Sequence, residues 1–151
     1  FWYALFELGL GVLFLAWAWS WLSLGQVILI TAGLTLGIYD FRDQEYPLLV
    51  WMTFHLVLMA CSDWNLVMIF FLALGIIAHF IDIRMGAGDF LFLASCALVF
   101  SVIELLILIQ FASATGILAF LLQKKKERLP FVPFLLLAAT IIIFYQFLLV
   151  C

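Results

Sequence analysis

Residues 90–122 have the sequence FLFLASCALVFSVIELLILIQFASATGILAFLL, 33 residues with a single charged side chain, Glu104. One straight helix of this length would measure about 50 Å, whereas the hydrocarbon core of a bilayer is about 30 Å thick. We therefore predict two shorter apolar helices in this stretch, joined by a turn between Ser101 and Glu104.

The composition of the whole chain is equally apolar. Of its 151 residues, 70% are hydrophobic and 10% are charged, and the mean hydropathy is +1.36, which excludes an ordinary soluble domain. The six basic residues offer no surface for nucleic acid. The three cysteines lie in or beside apolar runs without a metal-ligand spacing, so we expect neither a metal nor a cofactor.

Five further apolar runs predict helices of their own: residues 2–24, 26–40, 47–61, 65–81 and 130–150. Pro47 suits the first turn of its helix, where its missing N–H costs nothing, and Ser62 or Asp63 is placed to cap the next helix. We predict an all-α, polytopic transmembrane helix bundle of about seven spans, with residues 1–151 forming a single domain. Because the chain begins at Phe1 rather than Met, we expect its natural N-terminus to be missing.

The basic residues indicate the orientation of these spans. Arg42 follows the second span, Arg84 follows the fourth, and the segment 124–128 (KKKER) follows the sixth. All six basic residues then lie on one side of a seven-span bundle, whereas a six-span bundle with residues 90–122 unbroken would divide them. Since cytoplasmic loops are enriched in Lys and Arg, we expect this side to face the cytoplasm.

Two of the nine acidic residues lie at the ends of spans on that side. Asp40 ends the second span and Asp89 starts the fifth. Two neighbouring carboxylates cannot both ionise easily, so they share a proton, and one can activate water while the other protonates a peptide carbonyl. Two plainer interpretations stay open: Asp89 is the N-cap of its helix, or Asp40 is an interfacial acid beside Arg42.

The segment 86–89, Gly-Ala-Gly-Asp, belongs to the most polar and glycine-rich loop of the chain. Gly86 and Gly88 allow the backbone to turn tightly and leave room for an extended peptide. A glycine-rich loop that binds nucleotide phosphates would be followed by Lys-Ser or Lys-Thr, and neither follows here.

Four segments carry a resemblance to one family. Residues 6–8 are Phe-Glu-Leu, residues 38–40 are Ile-Tyr-Asp with Pro47 seven residues on, residues 86–90 are Gly-Ala-Gly-Asp-Phe, and residues 129–134 are Leu-Pro-Phe-Val-Pro-Phe. In the type IV prepilin leader peptidases they resemble, in order, the Val-Glu-Leu of the first span, the first catalytic aspartate with its following proline, the Gly-x-Gly-Asp motif with the second aspartate, and the Ile-Pro-Phe-Gly-Pro-Phe opening of the last span. These enzymes are membrane aspartyl proteases.

The resemblance implies that Asp40 and Asp89 are the catalytic pair of an endopeptidase that removes the leader from type IV prepilins or pseudopilins. It implies a multi-pass protein of the bacterial inner membrane that cuts on the cytoplasmic side, after a glycine. Five further residues would support the pair or bind the substrate: Gly86, Gly88, Pro47, Glu7 and Asp82.

The chain also departs from the family at several points. Longer members carry an N-terminal cytoplasmic domain with Cys-x-x-Cys pairs, associated with methylation, so we expect neither methyltransferase activity nor zinc in this chain. Leu91 stands where the family often has Lys, and Val132 stands where it has Gly. The spacing of 49 residues between Asp40 and Asp89 indicates a compact variant, such as the peptidases of Gram-positive competence systems.

Other residues have two interpretations each. Glu7 either forms a structural hydrogen bond inside the bundle or lies near the substrate. Asp82 either attracts a basic leader or pairs with His79 at the end of its helix. We expect His55 to pack between helices, and Trp51 to anchor the chain at the lipid surface with the other Trp residues.

Three alternative functions remain at this point. An ion- or proton-coupled transporter would use the same acids, although it would place them at mid-span depth. An assembly subunit without chemistry would leave the segment 86–89 unexplained. A Gly-x-Gly-Asp protease of the presenilin or signal-peptide-peptidase type would resemble this chain at Asp89 but not from Asp40 to Pro47.

Overall fold

The computed structural model describes residues 2–18, 21–43, 47–81, 86–122 and 130–150. These residues form seven α-helices and no strand, which confirms the all-α prediction for the described part of the chain. The helices are α1 (Trp2–Ala18), α2 (Leu24–Asp43), α3 (Leu48–Cys61), α4 (Leu66–Phe80), α5 (Ala87–Ala97), α6 (Val102–Leu122) and α7 (Val132–Val150).

The long apolar stretch is divided into two helices as predicted, but the break covers residues 98–101 and not the predicted turn from Ser101 to Glu104. Helix α5 ends at Ala97 and α6 begins at Val102. The backbone N–H of Ser101 donates to Oε2 of Glu104 at 2.8 Å, and the N–H of Glu104 donates to Oγ of Ser101 at 3.4 Å. This reciprocal capping box satisfies two backbone donors that a helix start leaves without partners, so it starts a new helix inside an apolar run.

Several predicted boundaries differ from the structure. The first helix ends at Ala18 rather than near residue 24, because Ser23 and Gln26 form another capping box that starts α2 at Leu24. Pro47 does not enter the first turn of α3 but precedes it as the N-cap.

The predicted cap of α4 is also wrong. Asn65, rather than Ser62 or Asp63, occupies the N-cap position, and its Oδ1 accepts the N–H of Met68 at 2.7 Å. Its Nδ2 donates to the carbonyl of Ala97 at 2.6 Å, at the end of α5. The amide of Asn65 accepts a hydrogen bond from one helix and donates one to another, which a carboxylate, an acceptor only, cannot do.

Helix α5 lies at the centre of the fold. Its residues from Leu91 to Ala97 are all buried, and it packs against α4, α3, α2, α7 and α6. Gly75 of α4 permits a close approach of α4 to α5, since a Cβ built there would lie 2.8 Å from Cδ2 of Leu91. The helix that carries Asp89 is therefore held on several sides.

Helices α2 and α7 run antiparallel and are joined by hydrogen bonds at both ends. Nε2 of Gln26 donates to Oε1 of Gln146 at 2.9 Å, and the N–H of Val132 donates to Oδ2 of Asp40 at 3.2 Å. In each helix the two contacts are 14 residues apart, about 21 Å or nearly four turns, so they lie on the same helix face. Between them, a Cβ at Gly33 would lie 2.6 Å from Cδ1 of Leu136.

The outer surface of the helices is apolar. Large hydrophobic side chains are widely exposed, up to 84% at Leu66 and 82% at Phe80. One described helix, Val102–Leu122, is long and apolar enough by itself to cross a membrane, with a mean hydropathy of 2.3. The apolar parts of the other six described helices are 10–17 residues long.

Candidate functional site

Asp40 lies near the end of α2 and is half-buried. Its carboxylate accepts the backbone N–H of Val132, the first residue of α7. A helix has no internal partner for this N–H, so the start of α7 supplies a free donor and the positive end of a helix dipole. The segment 129–134, singled out in the sequence, thus contributes a backbone contact to Asp40.

Asp89 is the third residue of α5 and is also half-buried. Its carboxylate accepts the backbone N–H of Gly86, the N-cap residue, and its own N–H donates to the carbonyl of Gly86 at 3.1 Å. Asp89 is therefore not the N-cap itself, although it reaches back to that residue.

Gly86 contacts Asp89 in a different way from that predicted. Gly86 has φ −65° and ψ 138°, a conformation open to any residue, so no tight turn demands glycine there. A Cβ at Gly86 would instead lie 3.3 Å from Oδ2 of Asp89, so any larger residue at this N-cap would crowd the carboxylate. Gly88 is the second residue of α5 and is half-buried.

The structure places the two aspartates at the same end of the bundle. The charge of Asp40 acts there on the carboxylate of Asp89. The end of α2 and the starts of α5 and α7 therefore meet at one end of the bundle. Two carboxylates that interact electrostatically titrate as a pair, so one can stay protonated while the other is ionised.

The other predicted site residues fall into two groups. Pro47 is half-buried and directly precedes α3. Glu7 lies on α1, but its side chain is outside the described part of the structure, as is Asp82 altogether. The side chain of Arg42, together with Arg84 and the basic segment 124–128, also lies outside the described residues.

Trp51 is a residue that the sequence interpretation placed wrongly. Its side chain is 6% exposed rather than lipid-facing, because its Nε1 donates to the carbonyl of Leu91 at 2.9 Å and contacts Oγ of Ser95 at 3.0 Å. His55 packs between helices as predicted, with Nδ1 at 2.9 Å from the same Oγ. The spacing of four residues between Trp51 and His55 was the available signal, since it places both on one helix face.

A second feature borders the Asp40 contact. An apolar groove of about 370 Å³ lies between α6 and the start of α7. It is lined by Ser113, Gly116, Ile117, Phe120, Phe131 and Phe134. Because Val132 stands between two of these residues in the chain, the groove begins beside the donor to Asp40.

Among the described residues, no three His, Cys, Asp or Glu side chains are grouped as metal ligands would be. No protein-family model, no curated protein and no solved structure matches the chain.

Proposed function

We propose that this chain is a multi-pass membrane aspartyl endopeptidase that removes the leader from type IV prepilins or pseudopilins. The single observation that carries the proposal is the placement of Asp40 and Asp89, 49 residues apart in sequence, at one end of the bundle, where the charge of one acts on the other. Acids that interact within a largely apolar bundle are costly, and such acids are candidates for a functional site.

The membrane part of the proposal rests on surface and composition. The described helices other than α5 expose large apolar side chains, and the chain has only six basic residues, all in connections that the predicted topology puts on one side. We infer seven spans, several of them short enough to require a locally thinned bilayer. The acid pair then faces the cytoplasm at the inner membrane of a bacterial cell.

The reaction follows from a shared proton. The ionised member of the pair takes a proton from water as the oxygen attacks the peptide carbonyl, and the protonated member gives its proton to the carbonyl oxygen. The resulting tetrahedral diol collapses when the nitrogen accepts a proton from the acid formed in the first step and the other carboxylate takes a proton from a diol hydroxyl. The C–N bond breaks, and the pair returns to its singly protonated state.

Each carboxylate is held by a helix start during these steps. The N–H of Val132 restrains Asp40, and the N–H of Gly86 restrains Asp89. Both donors lie at positive helix ends, which favour the negative charge that the pair carries. The neighbouring groove between α6 and α7 is apolar, as a surface that meets the hydrophobic helix of a prepilin would be.

Cleavage of a prepilin-type substrate by the purified chain, in detergent and in lipid, tests the proposal. We expect a single cut after the leader glycine, identified by product mass, and cleavage at least about 10²-fold slower by folded Asp40→Asn or Asp89→Asn protein. An ion- or proton-coupled transporter is the alternative. Proton uptake by proteoliposomes that contain the chain, in the absence of any cleavage, would favour it.

A further inference from the structure

We propose that Trp51 is a positioning residue for the acid pair: its indole N–H fixes the first turns of α5 against α3 and so holds Asp89 at its distance from Asp40. The catalytic consequence rests on the proposed function. The structural part rests on the geometry alone.

The contacts of Trp51 reach the helix of Asp89 near its start. Nε1 donates to the carbonyl of Leu91 at 2.9 Å, and Leu91 follows Asp89 by two residues. The same N–H lies 3.0 Å from Oγ of Ser95, one turn further along α5. One donor on α3 therefore meets two acceptors on consecutive turns of α5.

His55 completes a small polar cluster with these residues. Its ring stacks on the indole of Trp51, with 4.7 Å between the ring centroids and 22° between the planes. Its Nδ1 lies 2.9 Å from Oγ of Ser95, while Nε2 is buried and has no hydrogen-bond partner among the described residues. The polar contact of His55 is thus directed at α5, like that of Trp51.

The cluster is shielded from solvent, and its hydrogen bonds have few substitutes. Trp51, His55 and Ser95 are 6%, 4% and 2% exposed. A buried N–H that loses its acceptor has no water to replace it, so the indole holds α3 and α5 in one relative position.

This position matters for the pair because of chain connectivity. Helix α3 begins at Leu48, shortly after α2 ends at Asp43, so Trp51 lies close along the chain to the helix end that carries Asp40. Trp51 therefore links the element that follows Asp40 with the helix that carries Asp89. A small shift of α5 along α3 would change the separation of the two carboxylates.

Trp51→Phe, with Trp64→Phe as the matched control, separates this role from simple packing. Trp51→Phe keeps an aromatic ring and removes the N–H. Trp64 also donates its Nε1 to a backbone carbonyl, that of Met59 at 3.3 Å, but it is 69% exposed and does not contact α5 through that bond.

The first measurement is independent of activity. In a chain with Asp40→Cys and Asp89→Cys and the native Cys61, Cys96 and Cys151 changed to Ala, bis-methanethiosulfonate cross-linkers of graded length report the separation of the two positions. We expect one preferred linker length, which Trp51→Phe shifts or broadens and Trp64→Phe leaves unchanged. An identical length profile with Trp51→Phe would overturn the proposal.

The second measurement is the cleavage of a prepilin-type substrate by the chain with both aspartates intact. We expect Trp51→Phe to lower kcat about ten- to hundredfold with little change in KM, as a misplaced catalytic group does, and Trp64→Phe to behave like the wild type. If Trp51→Phe protein does not fold, Ser95→Ala removes a shared partner with less loss of volume and takes its place. If the wild type cuts no such substrate, the proposed function is refuted. If Trp51→Phe still shifts the cross-linker profile in that case, the positioning role stands.

Discussion

Asp89 and Glu104 occupy the same position on two consecutive helices, yet their surroundings differ. Each is the third residue of its helix, three residues after the N-cap. Glu104 accepts the N–H and the hydroxyl of Ser101, and its other oxygen accepts Nε2 of Gln146. Among the described residues Asp89 accepts only the N–H of Gly86, and it faces the charge of Asp40.

The difference shows that an acid at the third residue of a helix can be either structural or available for catalysis. Glu104 belongs to a chain of hydrogen bonds that runs through Gln146 and Gln26 and ties α6, α7 and α2 together. Its carboxylate is committed to these donors, which makes it structural. At Asp89 the N-cap is glycine, so no N-cap side chain donates to the carboxylate, and the charge of a second acid acts on it instead.

The two acids should differ most in their effect on cleavage. We expect Asp89→Asn to slow the cleavage of a prepilin-type substrate by about 10²- to 10⁴-fold, the usual range for a lost general acid or base. Glu104→Gln keeps the shape of a residue far from the pair and should stay within about twofold of the wild type. Equal losses in the two variants would remove the distinction between them.

The hydrogen bond from Val132 to Asp40 is tested next, at the end of the bundle that carries the two aspartates. Val132→Pro removes the N–H at a first helical position, where proline is well tolerated, and we expect cleavage to fall about ten- to hundredfold, as for a hydrogen bond to a charged group. Val102→Pro makes the same change at the first residue of α6, where Ser101 and Glu104 form the cap. Steady-state kinetics should show the loss for Val132→Pro alone.

A third variant makes the Asp89 position resemble the Glu104 position. Gly86→Ser adds a hydroxyl at an N-cap three residues before the carboxylate, and the new Cβ would lie 3.3 Å from its Oδ2. The hydroxyl can donate to Asp89, so we expect cleavage about tenfold slower, for about 1.4 kcal/mol of added restraint, and no loss of thermal stability. Gly25→Ser, on the second residue of α2 with space for a side chain, is the control. Unchanged cleavage by Gly86→Ser would show that activity does not require an N-cap without a side chain.

The smallest effect on cleavage is expected at the end of the bundle where Ser101 and Glu104 cap α6. Ser101→Ala removes the hydroxyl of the capping box at α6, and we expect the unfolding free energy in detergent to fall by about 1 kcal/mol while cleavage is retained. Thr53→Ala removes an exposed hydroxyl that bonds only within its own helix and should change stability by less than about 0.5 kcal/mol. A large loss of cleavage by folded Ser101→Ala protein would contradict a purely structural role for this end.

The sequence predicted the helices better than the contacts between them. Apolar run length and the polar positions at Ser101 and Glu104 located seven helices, and helix ends on one side placed Asp40 near Asp89. The capping role of Asn65 and the buried position of Trp51 were missed, because both depend on partners 32 to 44 residues away, Ala97 for the first and Leu91 and Ser95 for the second. The contact of Val132 with Asp40 uses a backbone N–H, which no side-chain pattern reveals.

Cleavage of a prepilin-type substrate by the wild type, Asp40→Asn, Asp89→Asn and the double variant tests the central claim most directly. Residues that act as one unit give strongly non-additive losses. We expect the wild type to cut after the leader glycine, each single variant to fall to the same low rate, and the double variant to be no slower. Wild-type cleavage by either single variant, or a double loss equal to the product of the single losses, would contradict a shared-proton pair.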